Sequence, residues 1–150
     1  MLLTSAVPGT VDYIDADLRE PGKVLRAAAR SLDFTRPVAI MLIAVMHLIV
    51  DDDDPYGILS QLKAAMVPGG YLVLSQVAAD IETEQVAEAR RRYNRLARET
   101  QRHRTREEVT RFFDGLDLVE PGVVSTTLWR PEPGETPQEI AVYCGVARKP

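Results

Sequence analysis

The sequence has very little cysteine: Cys144 stands alone in 150 residues, which excludes an intramolecular disulfide. Its place in an apolar run reads as that of a buried small hydrophobe, and a reducing cytoplasm is the expected compartment. No apolar stretch is long enough to cross a bilayer. The longest, Val38 to Val50, is interrupted by His47 and bounded by Pro37 and the aspartates Asp51 to Asp54. The N-terminus lacks a charged region followed by a long apolar core, so neither a signal peptide nor an anchor is expected there. Positive charge is not in excess: 18 basic against 22 acidic residues give a net charge of −4 and a pI near 5.2. That argues against non-specific nucleic-acid binding by the whole surface. Repeats and low-complexity tracts are absent too. What remains, 45% hydrophobic and 27% charged residues, is the composition of one ordinary soluble domain with a real core.

The stretch from Pro37 to Val77 organises the rest. The first part of Val38 to Val50 reads as a strand buried on both faces, as in a parallel sheet. From Asp54 to Met66, Ile58, Leu59, Leu62 and Met66 recur at helical spacing, with Asp54 placed as N-cap and Pro55 as first helical residue. Pro68-Gly69-Gly70 ends that helix, and Tyr71 to Val77 reads as a second buried strand. The unit is βαβ, with the right-handed crossover such units adopt.

Met1 to Gly9 looks like the end of a helix, closed by the turn Pro8-Gly9. Val11 to Ile14 is a short strand candidate, and Asp15 to Pro21 leaves its carboxyl end as a polar loop, where open α/β sheets place ligands. Val24, Leu25, Ala28 and Leu32 form a helical stripe. Glu82 to Arg104 reads as a helix, with Val86, Ala89, Tyr93, Leu96 and Ala97 as its apolar stripe and arginines elsewhere. Those arginines suit either a phosphate-bearing partner or, more simply, a solvated face laced with Glu–Arg pairs; His103, among them, is expected to be solvated. Thr105 to Glu108 has the form of a capping box opening a short helix with Val109, Phe112 and Phe113 inward and its end near Gly115. Leu116 to Val124 and Ile140 to Ala147 are strand candidates joined by a Pro-rich loop, an antiparallel pair at a sheet edge.

Ala44-Val45-Met46-His47-Leu48, the acidic loop, the helix and Val67-Pro68-Gly69-Gly70-Tyr71-Leu72-Val73-Leu74 resemble the segment around strands four and five of class I S-adenosylmethionine-dependent methyltransferases. Thr105 to Val109, Phe112 to Val124, Trp129-Arg130-Pro131 and Gly145 to Arg148 are similar to the actinobacterial S-adenosyl methyltransferase subfamily. Tyr13 to Arg19 fits that subfamily's loop after strand three. The resemblance implies an α/β, Rossmann-like methyltransferase sheet, mostly parallel with an antiparallel C-terminal edge pair, ordered 3-2-1-4-5-7-6. It also implies N-terminal truncation, residues 1–150 being one partial domain, because the family's first strand, Gly-rich loop and ribose-binding acid have no counterpart here. Strand four would then lack a neighbour, so pairing with a second copy or a complementing chain is expected at the open edge.

The resemblance implies S-adenosylmethionine as cofactor, with Asp17 accepting from the adenine amino group and the backbone at Leu18 meeting the ring edge. A plain turn acid is the alternative for Asp17. Ala44 and Val45 would line the cofactor floor through their backbone while also serving the core. His47 has the pKa range for taking a proton from a substrate nucleophile or could shape the pocket; a satisfied strand-end histidine is the competing reading, since no partner residue is identifiable. Tyr93 faces either substrate or core. Asp51 to Asp54 lacks the spacing and glycine of a calcium loop and reads as a capping turn, with no metal expected. The function implied is methyl transfer to an unidentified, small-molecule acceptor; the alternative is a non-catalytic protein- or nucleic-acid-binding module on a degenerate scaffold.

Overall fold

A residue that can cap a helix and a proline that can start one stand side by side at Asp54-Pro55, and the helix begins there. The computed structural model describes residues 11–81, 84, 87, 88, 91, 92, 95 and 101–150. Its elements are α1 (Pro21–Ala28), β1 (Ala39–Leu42), α2 (Pro55–Ala64), β2 (Tyr71–Val77), α3 (Arg106–Arg111), β3 (Asp117–Leu118), β4 (Val124–Ser125) and β5 (Val142–Arg148). Short 3-10 turns occupy Met46–Leu48, Asp51–Asp53 and Thr126–Leu128. At the head of α2, Asp54 accepts a hydrogen bond from the Gly57 N–H at 3.0 Å, satisfying one of the free donors of the first turn. Gly70 closes the turn into β2: a Cβ there would lie 2.9 Å from the Val38 carbonyl oxygen, so a side chain would push the incoming strand away.

β1 and β2 are parallel, from Ala39 opposite Tyr71 to Leu42 opposite Leu74. β5 runs antiparallel along β2, from Tyr71 opposite Arg148 to Val77 opposite Val142, and β3 and β4 both pair antiparallel with the far side of β5. The order β1-β2-β5-β3 is the 4-5-7-6 part of the expected sheet, with the antiparallel C-terminal edge as read. Two departures have plain causes. Leu116 to Val124 is divided into β3 and β4, because Pro121 has no N–H for a ladder and Gly122 turns the backbone to φ 84°. Val11 to Ile14 is not a strand. A strand exists through its neighbour's hydrogen bonds, and no described residue supplies one.

The expectation of strands buried on both faces also fails. Leu42, Leu72, Leu74, Tyr143 and Ala147 share one buried cluster with Ile58, Leu59 and Leu62 of α2 and with Val109, Phe112 and Phe113 around α3. On the opposite side of the strands, Met41 is 63% exposed and Tyr71 38%, while Val73, Cys144 and Val146 are half-buried. Among the described residues, packing covers one side of the sheet only. Cys144 is therefore half-buried rather than sealed in the core.

The expected helix from Glu82 does not reach Arg104. Glu84, Ala87, Glu88, Arg91, Arg92 and Arg95 are helical, and the described part carries the expected pairs, Arg91 to Glu88 at 2.9 Å and to Glu84 at 3.3 Å. Residues 101–104 are not helical, and Arg104 bridges in parallel to Ala78. His103 is 4% and Arg104 1% exposed, not solvated. A buried guanidinium is tolerated where carbonyls and a carboxylate receive it, and such acceptors come from the turn after β1. Met1 to Gly9, Tyr93 and most of the proposed apolar stripe lie outside the described residues.

Candidate functional site

The site forms where β1 ends. Ala44 has φ 53°, a left-handed conformation uncommon for alanine, and its N–H donates to Ser75 Oγ of β2 at 2.9 Å. The bond pins the reversal, and the chain enters the turn Met46–Leu48 with Val45 packed against the core. His47 is half-buried. Its Nδ1 is buried and makes no hydrogen bond among the described residues. Burial lowers the imidazole's pKa below its ordinary value, favouring the neutral ring that accepts a proton.

The polar loop before α1 meets this turn through Arg19. The Arg19 N–H donates to Asp17 Oδ1 at 2.8 Å, and its guanidinium reaches Asp17 Oδ2 at 3.1 Å, the Leu48 carbonyl at 3.2 Å and Asp53 Oδ2 at 3.1 Å. The backbone bond from Arg19 is the main reason the Asp17 carboxyl lies below its usual pKa. Asp17 is thus an ionised acceptor at an exposed loop end, with lone pairs left for a further donor. Leu18 packs on the core beside it. The structure therefore brings Asp17 and Leu18 to the same end of the sheet as Ala44, Val45 and His47. Tyr93 is not among the described residues.

The aspartate run has structural work. Asp51 receives Arg102 at 2.8 Å and Arg104 at 3.1 Å, Asp53 receives Arg19 and the Val50 N–H, and Asp54 caps α2. Arg19, Arg102, Arg104 and Ser75 are site-building residues that sequence reasoning missed. Only Arg19, two positions after the candidate Asp17, carried a local cue; the other three act across the fold.

A sheet of this order, with a polar loop and a left-handed strand end meeting at its carboxyl edge, defines a Rossmann-like α/β protein of the kind that binds ligands at that edge. The chain belongs to the S-adenosyl methyltransferase family, whose model matches residues 1–150. It is similar to a solved DUF574-family protein from Streptomyces avermitilis, 38% identical with a TM-score of 0.84, covering 92% of this chain and 55% of that one. It is also similar to a solved protein from Thermobifida fusca, 33% identical with a TM-score of 0.79, covering 89% of this chain and 52% of that one. The chain thus spans about half the length of these two relatives. An O-methyltransferase family 2 protein from Planctomyces limnophilus, 18% identical with a TM-score of 0.51 over 79% of this chain and 33% of its own, shares the fold. No curated protein matches the chain.

Proposed function

We propose that this chain carries the adenine-binding and acceptor-side half of an S-adenosylmethionine-dependent methyltransferase acting on a small-molecule nucleophile. One observation supports this most directly: in a member of this family, Arg19 joins the Asp17–Leu18 loop to Leu48 of the Met46–Leu48 turn at the carboxyl edge of the sheet. The donor set fits the adenine end of the cofactor. Asp17 would accept from the adenine amino group, the Leu18 backbone would meet the ring edge, and Ala44 and Val45 would form the floor. When bound, S-adenosylmethionine supplies a methyl group on a sulfonium, open to in-line displacement. His47, half-buried and held toward the neutral form by that burial, would accept the acceptor's proton. Orientation of the acceptor would carry most of the rate. No described residue is assigned to the ribose or the methionine end.

Titration calorimetry of S-adenosylmethionine and its demethylated product tests this. The expected result is saturable binding weakened about tenfold by Asp17→Ala, the scale of one charged hydrogen bond. A folded wild-type sample with no binding would sink the claim that this chain by itself forms the site.

The reading includes a single partial domain working in the cytoplasm; no helix among the described residues is long and apolar enough to cross a membrane. It also includes a partner strand, from a second copy or a complementing chain. Among the described residues β1 is the last strand on its side of the sheet, and Met41 and Ile43 are 63% and 53% exposed. Unpaired edges with apolar side chains seek pairing. Sedimentation should show association that Met41→Lys with Ile43→Lys weakens. A monomer at all concentrations with rapidly exchanging β1 amides, and no complementation by a chain bearing the missing strands, argues against the partner.

A further inference from the structure

The turn carrying His47 has four successive carbonyl groups, and arginine residues bind all of them. Met46 O receives Arg104 Nη1 at 2.9 Å, His47 O the Arg102 N–H at 2.8 Å, Leu48 O Arg19 Nη2 at 3.2 Å and Ile49 O Arg104 Nη2 at 2.8 Å. The acidic residues that follow lock the same three arginines in place, Asp51 holding Arg102 and Arg104, and Asp53 holding Arg19. A 3-10 turn this short leaves its last carbonyls without internal partners, and cations are favoured at that end. Ordinarily water fills that role. Here Arg19 arrives from the loop before α1, and Arg102 and Arg104 from the segment before α3.

We propose that Arg19, Arg102 and Arg104 are positioning residues that clamp the Met46–Ile49 turn from two sides and so set where the His47 imidazole stands. The ring's Nδ1 has no hydrogen bond among the described residues to orient it, so its place follows from its backbone. The guanidinium fork suits the task because one side chain can hold two acceptors in a fixed plane, as Arg104 does with Met46 and Ile49. Arg19 ties the same turn to Asp17. A displacement of either flanking segment would therefore move His47 and the Asp17 loop together. The role assigned to His47 rests on the proposed methyl transfer, but the clamp itself can be read without cofactor.

The test uses the full chain as wild type, Arg19→Ala, Arg19→Lys and Asp51→Asn, followed by NMR. Arg104 is too buried to be the first variant. The readouts are the His47 ring carbon–proton shifts and the exchange rates of the Leu48 and Ile49 amides, with Leu59 and Leu62 of α2 as reference for global opening. Arg19→Ala should shift the His47 ring signals and speed Leu48 and Ile49 exchange about tenfold, while the references hold. Arg19→Lys, which keeps the charge but lacks the fork, should fall between. Asp51→Asn should loosen the same amides from the other side. Unchanged His47 signals and turn exchange in a folded Arg19→Ala variant overturn the clamp. So does acceleration equal to that at Leu59 and Leu62, which would make Arg19 a contributor to overall stability alone. The expected pattern in a protein that fails to bind S-adenosylmethionine upholds the clamp and sinks the claim that this chain by itself forms the cofactor site.

Discussion

Arg104→Ala is expected to lower the free energy of unfolding by about 2–4 kcal/mol, the cost of an unsatisfied buried carbonyl together with lost charge-assisted bonds and the space vacated. Arg104 is 1% exposed, and its guanidinium donates to the Met46 and Ile49 carbonyls and to Asp51. Burial lowers its pKa and the Asp51 hydrogen bond opposes that shift; an arginine starts so high that it stays charged at neutral pH. Truncation leaves the Ile49 carbonyl without its donor and the Met46 carbonyl with only the Ile49 N–H at 3.3 Å, and it opens space beside Phe112, whose ring lies 5.2 Å from the guanidinium carbon. Against a domain stability of about 5–15 kcal/mol, a loss of this size moves the urea midpoint far enough to measure with certainty. A loss under about 1 kcal/mol would place Arg104 with ordinary surface charges.

Phe112→Ala should have a comparable effect, about 3–5 kcal/mol, through lost burial and the cavity left behind. Phe112 is fully buried, its ring centroid stands 5.0 Å from that of Tyr56 on α2, and it forms the floor under Arg104. It is thus a joint between α2, α3 and the arginine clamp. Because the two residues touch, the double variant should fall short of additivity by about 0.5–3 kcal/mol. Equilibrium denaturation of the four proteins of the cycle measures this, and full additivity would show that the ring contact carries no coupling. The neighbouring Phe113 ring occupies space that Gly145 of β5 leaves open: a Cβ there would sit 2.8 Å from it.

Much of the fold was legible where neighbours in sequence are neighbours in space. Asp54 and Pro55 start α2, Thr105 and Glu108 form the reciprocal cap of α3 with bonds of 3.3 and 2.7 Å, and Tyr71 to Val77 is β2 at the limits read. These rest on local hydrogen-bonding and periodicity. The candidate site was partly legible as well. Asp17, Leu18, Ala44, Val45 and His47 converge on one end of the sheet, although the residues themselves do not say so without the family pattern. Val11 to Ile14 was read as a strand from side-chain type alone, and it failed because pairing decides strands.

The sequence by itself determined the starts of α2 and α3, the limits of β2 and the family, since these depend on residues a few positions apart or on their order along the chain. Tertiary structure alone decided which sheet face is covered, that His103 and Arg104 are buried rather than solvated, and that three arginines hold the His47 turn. The reason is physical. A guanidinium is buried only where carbonyls and carboxylates far away in sequence receive it, and the closing bonds span 29 to 58 positions. No local pattern encodes the presence of such acceptors.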